Sequence, residues 1–422
     1  MAELIAHSRA VIISDLHVGD PTNRSLEDFD RDADFERLLD EVIPQTVGAP
    51  ATLIIDGDFI DFPQVLPHLA WHSLGERVGA SEEQSRSKIE RVLNGHPRVF
   101  TAMRRYLEDR RGQILLLPGN HDVDLHWPSV QEALRKNLGG AAAPDYQFVA
   151  RGVIHERSLY VEHGNQYTYD NWFEHWEHPI VDAPDGPRLE RPWGTFFMDM
   201  VYNDLETLYP FVNKVYPHGR LAWIALRSFR DDERVSVAAL ARLVAFFITH
   251  GKRMAAEHLL LGDTAEDQSQ SREASIAHLL ARLGDGADPR RLDAVAEETI
   301  RLVGKDLPAP EDGVGVPGLL GRNDEDALSR RARTLLEDGE ARVVAFGHTH
   351  AAIDGNRDPL FGLADLRRSF NTGSWTPSTP LTGRERWQEL RELAWRHDLR
   401  YLVVDLEDLA KVTLCSLPTS PR

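Results

Sequence analysis

Five short groups of acid, amide and imidazole residues stand along the chain: Asp15-Leu16-His17, Gly57-Asp58, Gly119-Asn120-His121-Asp122, His163-Gly164 and Gly347-His348-Thr349-His350. This mixture of oxygen and nitrogen donors suits Mn²⁺, Fe or Zn²⁺, whereas Ca²⁺ prefers oxygens alone. Two such ions about 3.5–4 Å apart activate water and clamp the oxygens of an in-line displacement at phosphorus. A pair of ions needs one carboxylate able to bridge them, and Asp58 is the candidate. Asp15, His17 and His350 complete the shell of one ion in this reading; Asn120, His163 and His348 complete the other. His163 is preferred to its neighbour His155 because it closes a strand just before a glycine. Two divalent transition-metal ions are therefore expected, with Mn²⁺ first and Fe or Zn²⁺ as alternatives.

Each group follows an apolar run: Ala10 to Ser14, Thr52 to Ile55, Gln113 to Leu117, Ser158 to Val161 and Arg342 to Phe346. Continuous runs of this length suit strands buried on both faces. Asp34 to Ile43 and Pro97 to Arg111 carry helical spacing between them, so the order reads as α/β. Open α/β sheets place ligands at such strand ends. Gly57, Gly119 and Gly347 are expected to let the chain turn sharply and approach the site closely. Ser369 to Asn371, Tyr401 to Val404 and Val412 to Ser416 read as closing strands. From about Tyr169 to Glu340 the pattern becomes helix-like, with an aromatic-rich, locally basic stretch at 191–260. The expected organisation is a discontinuous catalytic domain, 1–168 and 341–422, interrupted by a mainly helical insertion or cap, 169–340.

The five groups resemble the DxH, GD, GNH(D/E), H and GHxH motifs of the calcineurin-like metallophosphoesterase superfamily, in the same order. The resemblance implies a four-layer α/β sandwich, two mixed sheets flanked by helices, in place of an open sheet. It also implies that His121 lies near the scissile bond as a proton donor or phosphate contact, with Asp122 orienting its imidazole. Asp61 reads as a helix cap or a partner of a ligand, and Asn165, Gln166 and Tyr167 as residues that could line the site. His68, His72, His126, His175 and His178 read as surface or satisfied buried histidines.

Departures from relatives narrow the substrate. Phosphoprotein phosphatases of this superfamily carry a GDxVDRG-like pattern and GNHE; here Gly57-Asp58-Phe59-Ile60-Asp61-Phe62 lacks the arginine and Asp122 replaces the glutamate. Purple acid phosphatases place tyrosine three residues after the bridging aspartate, where this chain has Asp61. The run Gly57 to Asp61 with a late Gly347 to His350 is partially similar to the UDP-2,3-diacylglucosamine pyrophosphatase-like branch. That branch often has arginine at the position of His121 and is shorter. The expected activity is hydrolysis of a small-molecule or lipid-linked phosphodiester, pyrophosphate or phosphomonoester by a metal-bound hydroxide. The alternatives are a nuclease or nucleotide phosphodiesterase, with Arg220, Arg227, Arg230 and Arg234 lining a groove, and a non-catalytic binding scaffold.

Composition sets the outer bounds. The 422 residues, 42% hydrophobic, can bury a substantial core. A net charge of −19 disfavours nucleic acid as a partner. One cysteine, Cys415, cannot form an intramolecular disulfide, and the start lacks a signal-peptide pattern, so a cytoplasmic protein is expected. The apolar run from about Val235 to Thr249 is interrupted by Arg242 and is too short to span a bilayer. Peripheral membrane contact stays open, as does oligomeric state.

Overall fold

The computed structural model describes residues 4–48, 50–67, 78–140, 145–168, 171–216, 224, 322–360, 367–382 and 384–419. The chain divides into two compact units: Met1–Asp199 with Asn323–Pro377 and Arg396–Arg422, and Met200–Arg322 with Ser378–Trp395. Residues 171–199 thus fall in the first unit, beyond the 1–168 expected from sequence, and 378–395 fall in the second. Most of the expected insertion, including Arg220, Arg227, Arg230 and Arg234, lies outside the described residues, as do His68 and His72.

The first unit holds two mixed sheets. Strands β1 (Arg9–Ile13), β2 (Thr52–Asp56), β3 (Gln113–Leu117) and β4 (Tyr146–Phe148) run parallel, and β13 (Arg400–Asp405) and β14 (Thr413–Ser416) extend that sheet antiparallel beyond β1. The other sheet has the order β11 (Arg368–Asn371), β10 (Val343–Phe346), β6 (Leu159–Val161), β5 (Val153–His155), with only β5 antiparallel to its neighbour. The five motif-bearing strands are therefore shared between two sheets, three in one and two in the other. An open single sheet is not formed; the sandwich is.

Side-chain alternation explains the layers. Ala10 and Ile12, Ile54, and Leu115 and Leu117 meet Leu159, Val161, Val343 and Ala345 in one buried cluster between the sheets. Their neighbours Val11, Ile13, Leu53, Ile55, Ile114 and Leu116 point the other way, into a cluster with Phe35, Ile89, Phe100, Met103 and Leu134 from helices. Period-two alternation puts successive residues on opposite faces, so a strand covered on both faces must be apolar throughout. On the outer face of the second sheet, Tyr160, Val344 and Phe346 pack against Leu328, Ala332, Leu335 and Leu336 of the helix Arg322–Glu337. Their spacing of four, three and one is a helical stripe.

Two helices of the first layer were not anticipated. Glu82–Gly95 begins with a capping box in which Ser81 and Gln84 exchange side-chain and backbone hydrogen bonds, and Pro128–Asn137 begins with proline at its first turn. Within the stretch expected to be mainly helical, β7 (Ile180–Ala183) and β8 (Gly186–Leu189) form an antiparallel hairpin. Its Pro184-Asp185 tip is followed by Gly186 at φ +118°, a conformation glycine adopts without steric cost.

In the second unit, β9 (Val215–Tyr216) pairs parallel with β12 (Thr379–Pro380). The Trp387 ring meets Tyr209 and Phe211 with ring centroids 5.1 Å from each, a small aromatic core. No described helix is long and apolar enough to cross a membrane.

Candidate metal centre

The loops after β1, β2, β3, β6 and β10 converge, and their backbones are held in uncommon conformations. Asp15, His17, Asp58, His348 and His350 all have φ between +48° and +69°. Only three other non-glycine residues among those described, Arg111, Glu156 and Arg157, share that sign. Left-handed backbone costs a non-glycine residue about 1 kcal/mol or more and persists where the surroundings impose it. The glycines of the motifs serve this crowding in two ways. Gly57 adopts φ +76°, and a Cβ there would stand 2.4 Å from the His163 ring. Gly119 needs no special φ; a Cβ would lie 2.2 Å from Asp58 Oδ1. The sharp turn expected at all three glycines is thus replaced at Gly119 and Gly347 by close approach of a ligand carboxylate.

One group of donors comprises Asp15, His17, Asp58 and His350, whose ligand atoms lie within 4.8 Å of one another. His17 Nε2 is 3.0 Å from His350 Nε2, and His350 Nε2 is 3.4 Å from Asp15 Oδ1. Two imidazole nitrogens on one ion stand about 3.0–3.4 Å apart at Zn–N distances, so this spacing fits a shared cation. Asp15 is held below the usual carboxylate range: burial opposes its charge, but His163 and His350 outweigh it. Ser14 and the backbone N–H of His348 donate to its oxygens.

A second group comprises Asp58, His163 and His348, again within 4.8 Å. Asp58 is common to both groups. His163 Nδ1 donates to the Asp56 carbonyl at 2.7 Å, which turns Nε2 toward Asp58 Oδ2, 3.2 Å away. Two buried acceptor atoms here, Asn120 Oδ1 and His348 Nδ1, have no hydrogen-bond partner. Unpaired buried polar atoms cost about 1–3 kcal/mol each, and a divalent cation is the kind of partner such acceptors lack. The donors therefore fit divalent transition ions. Burial and the neighbouring His163 push His348 down to about 3, leaving it the neutral imidazole that ligation requires.

His121 projects beside these groups, its ring edge against His17 with centroids 4.6 Å apart. Its Nδ1 donates to Asp61 Oδ1 at 3.0 Å, while Asp61 Oδ2 lies 3.1 Å from His17 Nδ1. One carboxylate thus orients both imidazoles, and the two rings hold it well below the usual carboxylate range against the opposing effect of burial. Burial also opposes the His121 cation, but Asp61 and Asp58 raise it to about 9. Asp122, expected to orient His121, instead accepts backbone N–H groups from Phe59 and Gly119, tying the loop after β3 to the loop after β2. Burial and Asp58 push Asp122 up to about 7.

Several partners of this site escaped sequence reading. Asn171 accepts from Asn120 Nδ2, and Thr168 contacts His348 Nε2 at 3.0 Å. Asp61 does not cap the short helix that follows it; its side chain makes no cap bond. The acidic residue three positions after the bridging candidate was the available signal. No comparable pattern marks Asn171.

The family model for calcineurin-like phosphoesterases matches residues 8–352, a span holding every donor described above. The chain belongs to that family. No curated protein and no solved structure matches it. Membership accounts for the metal-dependent chemistry for which the donor clusters are suited, and for the two-sheet α/β fold.

Proposed function

We propose that this phosphoesterase hydrolyses a small-molecule or lipid-linked phosphodiester, pyrophosphate or phosphomonoester with two divalent ions, Mn²⁺ before Fe or Zn²⁺, in the cytoplasm. The observation that carries the two-ion reading is that Asp58 alone belongs to both donor groups. Asp15, His17 and His350 would hold one ion with it, and Asn120, His163 and His348 the other. Bound there, the ions supply Lewis acidity and an activated water at neutral pH.

The chain's own residues then divide the remaining work. Asp61 fixes the His121 tautomer by accepting from Nδ1, which leaves Nε2 to carry the proton given to the leaving oxygen. Asp122 holds the two loops that place His121 and Asp58 side by side; the His121 backbone N–H donates to Asp58 Oδ1 at 2.8 Å. The narrower likeness to UDP-2,3-diacylglucosamine pyrophosphatases supports a lipid-linked pyrophosphate as the first substrate to try.

The test is a panel of aryl mono- and diesters, nucleotides, nucleic acids and lipid pyrophosphates with added Mn²⁺, run beside metal analysis of Asp58→Asn. Hydrolysis by a protein holding about two ions, lost in the variant, is the expected result. Full turnover and full metal content in the variant would overturn the proposal.

A further inference from the structure

Resting on that two-ion reading, the geometry points to a positioning role for the segment after His163: Thr168 and Asn171 set the orientation of the second ion's ligands and so its affinity. Asn120 is an ambiguous ligand, because its amide presents an oxygen that can bind a cation on one side and an NH₂ that cannot on the other. Its Nδ2 lies 3.3 Å from Asn171 Oδ1, and the oxygen is left buried without a partner. His348 has the same problem with its two nitrogens. Thr168 Oγ1 donates to the Asn165 carbonyl at 2.9 Å, so toward His348 Nε2 it acts as acceptor. That places the ring proton on Nε2 and leaves Nδ1, also buried and unpartnered, as the donor atom.

The segment is itself clamped. Asn165 Nδ2 donates to the Asn171 carbonyl at 3.1 Å. Gln166 accepts from the Phe173 N–H at 2.8 Å and donates to the Phe173 carbonyl at 3.0 Å. Asn165 follows His163 after a single glycine at φ +106°, so one piece of chain supplies a ligand and aims two others. The first ion's donors use none of these contacts; Asp61 and Asp15 serve them instead.

The experiment measures Mn²⁺ stoichiometry and affinity by calorimetry, with electron paramagnetic resonance to separate coupled pairs from single ions. In Asn171→Ala and Thr168→Val, one Mn²⁺ is expected to bind as in the wild type and the second 10–100-fold more weakly, with the coupled-pair signal replaced by a single-ion one. Asn171→Asp, which can only accept, and Thr168→Ser are expected to restore the second ion. Melting of the metal-free variants within a degree or two of wild type separates positioning from folding. Wild-type affinity for both ions in the Ala and Val variants, or equal weakening of both, overturns the inference. A wild-type protein that binds fewer than two ions overturns the two-ion reading itself.

Discussion

The two halves of the metal centre share Asp58 but are built differently. In the half formed by Asp15, His17 and His350, the donors already contact one another; Asp15 and His17 are buried, and only the His350 side chain, 37% exposed, opens this half. In the half formed by Asn120, His163 and His348, His163 is 1% exposed, and Asn120 Oδ1 and His348 Nδ1 have no hydrogen-bond partner. A buried acceptor without a partner gains more from a cation than one that water can reach. The enclosed half should therefore bind its ion more tightly, and the open half should exchange its ion and meet the substrate.

The severest way to break this comparison is to remove what both halves share. Asp58→Asn should lower turnover on the order of 10³-fold or more and leave fewer than two ions per chain; activity and metal content read together decide it. Removing the ions while keeping every residue comes next. Each half joins a strand end of one sheet to a strand end of the other, so chelation should lower the melting temperature. At ion concentrations about 100 times Kd, the loss is about 2.7 kcal/mol per site, measurable by denaturant titration with and without chelator.

Asp61→Asn keeps the size of the side chain but weakens its hold on His17 and His121. A 10–100-fold fall in kcat/KM is expected, with the second ion retained; a matched loss of both ions would mean that the halves are not independent. His350→Ala should weaken one Mn²⁺ and spare the other, while His348→Ala should do the reverse, which calorimetry distinguishes.

A control with the smallest effect lies away from the centre. His96 is a buried imidazole with both nitrogens partnered, Nδ1 3.0 Å from Asp32 and Nε2 3.4 Å from Glu27. Burial opposes its charge, but Asp32 and Glu27 raise it to about 9. Because the folded value lies above the unfolded one near 6.5, its stabilisation is fully present below pH 6.5 and is lost as pH rises through 9. His96→Gln should cost roughly 1–2 kcal/mol at pH 6 and nothing above pH 10. An equal cost at both would show that packing rather than charge is responsible.

Strands buried on both faces were legible in the sequence because burial forces unbroken apolar runs, as in Val11 to Ile13 and Leu115 to Leu117. The helix Glu82–Gly95 was not, because Ser85 and Lys88 stand among its buried residues and blur the stripe. Its capping box at Ser81 and Gln84 was the clearer sign. Which strands share a sheet was also hidden: β6 and β10 have the same composition as β1 to β3, and only hydrogen-bond pairing distinguishes them.

By itself, the sequence determined the donor types and their place at the ends of buried strands, both consequences of local patterning. Tertiary structure alone decided which groups aim those donors. Asp122 is next to His121 in the chain yet serves backbone amides, while Asp61, sixty residues away, holds the ring. Asn171 reaches Asn120 across fifty-one positions. Hydrogen bonds depend on angle and on distances of about 3 Å, and loops from separate strands meet those conditions only after the two sheets have packed.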